Sequence, residues 1–100
     1  MTTRDYADYV ERRAQPFTDL NYCVIALNGE SGEVAEWYKK CVLRGNPEGK
    51  HSDEDLKKEL GDVLFYLQRI CNLKGWTLED IMERNRQKLD KRVERGALVG

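Results

Sequence analysis

The sequence predicts an all-α fold, a compact bundle of about four helices completed by oligomerisation. Apolar residues recur at three- and four-residue steps through most of the chain. Glycine and proline fall at a few separated points rather than scattered through it, with prolines only at Pro16 and Pro47. β-branched runs are scarce. At 100 residues the whole chain, 1–100, reads as a single domain with a modest core, and association is a common supplement at that size.

The first helix is expected from about Thr3 to Gln15, with Thr3 as N-cap, Pro16 as stop, and Tyr6, Tyr9 and Val10 on its apolar side. The second is expected from about Thr18 to Arg44. Its stripe is Leu20, Cys23, Val24, Leu27, Val34, Tyr38 and Cys41. At about 100° per residue, Glu30 falls roughly 20° from Cys23 and Cys41, on the apolar side; Glu33 lies at the edge of the stripe and Glu36 on the solvated side. Gly29 and Gly32 fit either a close approach by a neighbouring helix or ligand, or a kink. Gly45 to His51 reads as a loop.

Ser52, followed by Asp55, opens a third helix that runs to about Lys74 and stops at Gly75. Leu56, Leu60, Val63, Leu64, Leu67, Ile70 and Cys71 form its stripe; Glu59 lies roughly 20° from Ile70 and Asp62 flanks the stripe. Thr77, with Asp80 three residues on, caps a fourth helix carrying Leu78, Ile81, Met82, Leu89 and Val93, which Gly96 ends. Asn85, Lys88 and Arg92 share one side of that helix.

Charged residues make up 35% of the chain, but its net charge of −1 gives no bulk argument for nucleic acid or membrane binding. No apolar run suits a signal peptide or a membrane span, and three separated cysteines, Cys23, Cys41 and Cys71, read as reduced thiols packed as small hydrophobes. A cytoplasmic protein without membrane or nucleic-acid partners is expected. His51, the only histidine, sits in the expected loop, which leaves no Glu-x-x-His pair for a di-iron bundle and argues against a histidine-activated nucleophile.

Two acidic pairs carry the chemistry: Glu30-Ser31-Gly32-Glu33 and Glu59-Leu60-Gly61-Asp62. Residues three apart share a helix face, so two such helices packed together gather four carboxylates in one small volume. Like charges held that close repel, and a hard divalent cation, magnesium or manganese, is the usual compensation. Beside it, Asn85 can orient a carboxylate or water while Lys88 and Arg92 hold phosphate oxygens. Trp37, one turn beyond Glu33, can stack on a nucleobase or serve the core or an interface. Tyr6, Tyr9, Phe17, Tyr22 and Tyr38 are other aromatics able to stack, and spacing does not choose among them.

The chain resembles the MazG-like all-α nucleoside triphosphate pyrophosphohydrolases. Their signature is Glu-x-x-Glu, a spacer of a dozen to just under thirty residues, and Glu-x-x-Asp; here 25 residues separate Glu33 from Glu59. The flanks Leu27-Asn28-Gly29-Glu30-Ser31-Gly32-Glu33-Val34-Ala35-Glu36 and Glu59-Leu60-Gly61-Asp62-Val63-Leu64 also match, as does Asn85-x-x-Lys88-Leu89 with Arg92. The resemblance covers roughly Leu20 to Gly96. It implies hydrolysis of a (d)NTP between the α and β phosphates to a monophosphate and pyrophosphate, with magnesium held by Glu30, Glu33, Glu59 and Asp62, in a homodimer or homotetramer. Some members carry another acid directly before the first motif glutamate; Gly29 stands there, which leaves Glu30 or Glu33 to activate water. Alternatives are a dUTPase/dUDPase-like or phosphoribosyl-ATP enzyme of the same fold, a non-catalytic metal-binding helical module, and a plain bundle with solvated acids.

Overall fold

A computed structural model describes residues 1–45 and 53–96, and these form four α-helices and one π-helical turn with no strand among them. Helix α1 spans Thr3–Arg13, α2 Leu20–Tyr38, α3 Asp53–Lys74 and α4 Leu78–Glu94; the π turn, Lys39–Leu43, extends α2. The expected Ser52 cap and His51 lie outside the described residues.

Local chemistry fixes most helix ends. Thr2, not Thr3, caps α1, because Asp5 then stands at the third helical position and each side chain bonds the other's backbone N–H. Asp19 caps α2 by accepting from the Tyr22 N–H at 2.8 Å. Gly75 ends α3 in the left-handed region, φ 72°, where the Trp76 N–H reaches the Cys71 carbonyl at 2.9 Å. Thr77 and Asp80 form the expected box on α4. The second helix runs without a break through Gly29 and Gly32. A Cβ at either would meet nothing within 4 Å, so no neighbouring helix of the same chain approaches there.

Helices α2 and α3 form the main packed pair, and α1 lies against α3. Val10, Cys23 and Cys71 are fully buried where the three meet, and all three cysteines are free thiols. Polar ties hold α1 and its linker to α3. Asn72 donates to the Ala7 carbonyl at 3.0 Å and the Arg69 Nε to the Thr18 carbonyl at 3.3 Å, and both side chains also reach Glu11.

The expected compactness is not met within one chain. The radius of gyration is 16.4 Å, whereas a compact 100-residue domain has about 13 Å. No helix packs along α4; its first turn meets α1 through a Thr3–Glu79 hydrogen bond. Several residues of the expected stripes are open instead of buried, among them Val24 at 55% exposed, Leu60 at 49% and Met82 at 58%. The physical reason is that each of these helices carries more apolar surface than the helices packed on it cover: α2 and α3 share one contact face, and among the described residues α4 has no helix packed along it.

Candidate functional site

The site sits on the α2–α3 contact. Glu30 from α2 and Glu59 and Asp62 from α3 each offer a carboxylate oxygen, and these oxygens all lie within 4.8 Å of one another. Glu59 and Asp62 are one turn apart on α3, and the phase of each helix turns them toward the other. Glu30 and Glu59 are half-buried and Asp62 is exposed. Among the described residues, no ion pair involves any of the three.

The electrostatics follow from that geometry. The Glu30 carboxyl is raised above its ordinary 4.5, first by burial, then by Asp62, Glu59 and Glu33. A cluster in which a carboxyl is pushed toward its neutral form lacks a positive charge. Three oxygen donors without nitrogen or sulfur suit a hard cation such as magnesium or manganese, so the residues present fit one.

Glu33 is exposed and stands outside the three-oxygen cluster, one turn along α2. Together with Glu36, Trp37, Lys40, Asp55, Lys58 and Glu59 it lines an adjoining cavity of about 270 Å³. Trp37 is half-buried in that wall. Glu36 pairs with Lys39 at 3.1 Å and Lys40 at 3.4 Å, and the Lys39 hydrogen bond is the main reason its carboxyl is held low.

Asn85, Lys88 and Arg92 are not gathered with the acids by helix packing. They lie on α4, Asn85 and Lys88 exposed and Arg92 half-buried, and α4 is not packed along α2 or α3. Asp90, an acid on the same helix, pairs with Arg86 at 3.0 Å.

Two tyrosines were not singled out for the site by the sequence. Tyr66 stands one turn beyond Asp62; burial raises its hydroxyl pKa, followed by Tyr22 and then Glu30. Its spacing from Asp62 was the available signal. Tyr6, from α1, is raised by burial, Tyr9 and Asp62. No local pattern announces a contact made across so much chain.

The profile of the MazG nucleotide pyrophosphohydrolase domain matches residues 20–96. The chain is similar to the Gene 37 protein of Mycobacterium phage L5, at 37% identity over 84 residues, covering 81% of this chain and 72% of the phage protein. It is also similar to the uncharacterized protein YvdC of Bacillus subtilis (strain 168), at 32% identity over 74 residues, covering 68% of this chain and 70% of that protein. No solved structure matches. The chain belongs to the MazG nucleotide pyrophosphohydrolase domain family.

Proposed function

From that membership, we propose that the protein is a metal-dependent hydrolase of nucleoside triphosphates, (d)NTPs, cleaving between the α and β phosphates to leave a monophosphate and pyrophosphate. The observation that carries this reading is the meeting of Glu30, Glu59 and Asp62 within 4.8 Å on two packed helices of the family segment.

Glu30, Glu59 and Asp62, with Glu33 beside them, would hold magnesium, with manganese as a substitute. When bound, the cation neutralises the triphosphate and makes water a better acid. The chain's own residues do the rest. Glu33, outside the cluster and facing the cavity, accepts a proton from the attacking water, with Glu30 as the other candidate. The water oxygen bonds to the α phosphorus, the bond from that phosphorus to the bridging oxygen breaks, and pyrophosphate leaves with the electron pair. Trp37 and the cavity walls contact the substrate.

Asn85, Lys88 and Arg92 hold phosphate oxygens. Because α4 stands apart from the acids of its own chain, we place this row in a homodimer or homotetramer, where α4 of one copy serves the acids of another. No described helix is long and apolar enough to cross a membrane, and a cytoplasmic role in nucleotide-pool control fits the reading.

The test is pyrophosphate release from a panel of (d)NTPs with magnesium or manganese, in the parent protein and in Glu59→Ala. The panel includes dUTP, dUDP and phosphoribosyl-ATP, which separates the enzymes of the same fold. Release by the parent and loss in the variant is expected; no release from any nucleotide with either metal ends the proposal.

A further inference from the structure

Building on the hydrolase reading above, we infer that the substrate lies along α2 with its base stacked on Tyr22 and Phe17 and its polyphosphate directed toward Trp37. The two ends of the acidic site differ in chemistry as the two ends of a nucleotide do. Toward the N-terminus of α2 runs a row of aromatic rings. Phe17 meets Tyr22 edge-on with centroids 5.4 Å apart, and Tyr22 meets Tyr66 at 6.3 Å. Tyr66 stands one turn beyond Asp62 on α3, so the row leads from the acids to the surface. There Phe17 is 62% exposed and Tyr22 42% exposed, which leaves ring surface open to a ligand.

Toward the other end lies the cavity of about 270 Å³. Apart from Trp37 its lining is charged, four acids with two lysines; Lys40 pairs with Glu36, so Lys58 and a bound cation are the groups this end offers to phosphate. Tyr22 precedes Glu30 by eight residues, about 12 Å along the axis, and Trp37 follows it by seven, about 10 Å. An extended nucleotide whose phosphates are drawn to a cation at the acids would therefore reach toward one end or the other. Aromatic faces suit the base, and lysines beside a cation suit the phosphates. Of the three rings, Tyr22 and Tyr66 lie within the family segment, residues 20–96, and Phe17 lies just before it.

Phe17→Ala and Lys58→Ala test the orientation in the full chain. For Phe17→Ala the expected result is a KM for purine nucleotides raised about tenfold, kcat within about twofold of the parent, and an unaltered Kd for inorganic tripolyphosphate with magnesium. Lys58→Ala is expected to weaken tripolyphosphate and nucleotide together. Sedimentation accompanies both variants, since a second copy covering Phe17 is the competing account. An unchanged KM in an active Phe17→Ala protein overturns the inference. Equal weakening of tripolyphosphate by Phe17→Ala, or a fall in its assembly mass, overturns it as well. If the parent turns over no nucleotide, the hydrolase reading fails while the shelf is still decided, by whether Phe17→Ala weakens magnesium-dependent binding of purine nucleotides but not of tripolyphosphate.

Discussion

Glu30 and Glu59 face each other across the α2–α3 contact, each with a carboxylate oxygen in a cluster no wider than 4.8 Å that also takes in Asp62. Glu59 is half-buried, so its loss removes a donor that a surface side chain cannot replace. Glu59→Ala is expected to lower magnesium-dependent pyrophosphate release by at least about a hundredfold. On the proposed metal site, magnesium is expected to raise the parent's melting temperature and Glu59→Ala to abolish that rise. Thermal melts with and without the metal read the binding, and pyrophosphate release reads the turnover.

The same crowding makes stability depend on pH in a way that one substitution isolates. Glu30 is raised above its ordinary 4.5 by burial first and by its acidic neighbours next. A raised carboxyl binds its proton more tightly folded than unfolded. Its contribution is therefore fully present below about 4.5 and is lost as pH climbs through the raised folded value. Glu30→Gln keeps the neutral form at every pH. In a chelating buffer near pH ~7 the variant is expected to melt above the parent, and the gap should close on acidification toward the ordinary carboxyl range. Groups whose carboxyls are held low by their caps, Asp5 and Asp80, destabilise both proteins alike in acid, so the difference between the two melting curves reports Glu30.

Asn72 joins three groups at once. Its amide nitrogen donates to the Ala7 carbonyl at 3.0 Å and to Glu11 at 3.3 Å, and its oxygen accepts from the Gln68 Nε2 at 3.0 Å. Gln68 is 1% exposed and its own Oε1 already has no partner. Asn72→Ala would leave the rest of that buried amide unpaired and untie α1 from α3. A loss of about 1–3 kcal/mol is expected by urea unfolding, with the m-value unchanged if the cost falls on the packed state alone.

Ile25 is 74% exposed and Val24 beside it 55% exposed, in the apolar run Cys23–Leu27 of α2. Such a run belongs in an interior. On the proposed oligomer, a charge at this face disrupts assembly without touching the fold of one chain. Ile25→Asp is expected to sediment at the 11.7 kDa of a single chain, to keep its helical circular dichroism, and to lose most of its turnover because α4 of a partner no longer reaches the acids. A parent that already sediments as one chain would remove the oligomer from the proposal.

Much of the fold was legible because its signals are local. Gly75 and the Thr77–Asp80 pair mark the α3–α4 junction by chemistry that involves only neighbouring residues. The α1 cap was misplaced by one residue because Thr2 and Thr3 are adjacent and only Asp5 decides between them. The π turn at Lys39–Leu43 carries no glycine or proline to announce it. Glu30, Glu59 and Asp62 were legible from their phase beside the apolar stripes. Glu33 has the same three-residue spacing from Glu30 as Asp62 has from Glu59, yet it stands outside the cluster, so spacing within one helix does not decide which acids meet; the packing of α2 on α3 does. Compactness was not legible, since an apolar stripe shows that something must cover it and not which helix does. The neighbourhoods of Tyr6 and Asp62 and of Tyr66 and Glu30 include contacts between distant parts of the chain, which periodicity does not record.

The fourth helix needs no neighbour to hold its shape. Its Thr77–Asp80 box satisfies the first turn, and Arg86 braces the middle by reaching back to Glu83 and forward to Asp90. Its ordering entropy is therefore spent inside the monomer, before any encounter. In the proposed oligomer a partner would meet a preorganised arm, and its approach would be a rigid-body docking spared the delay of folding upon contact.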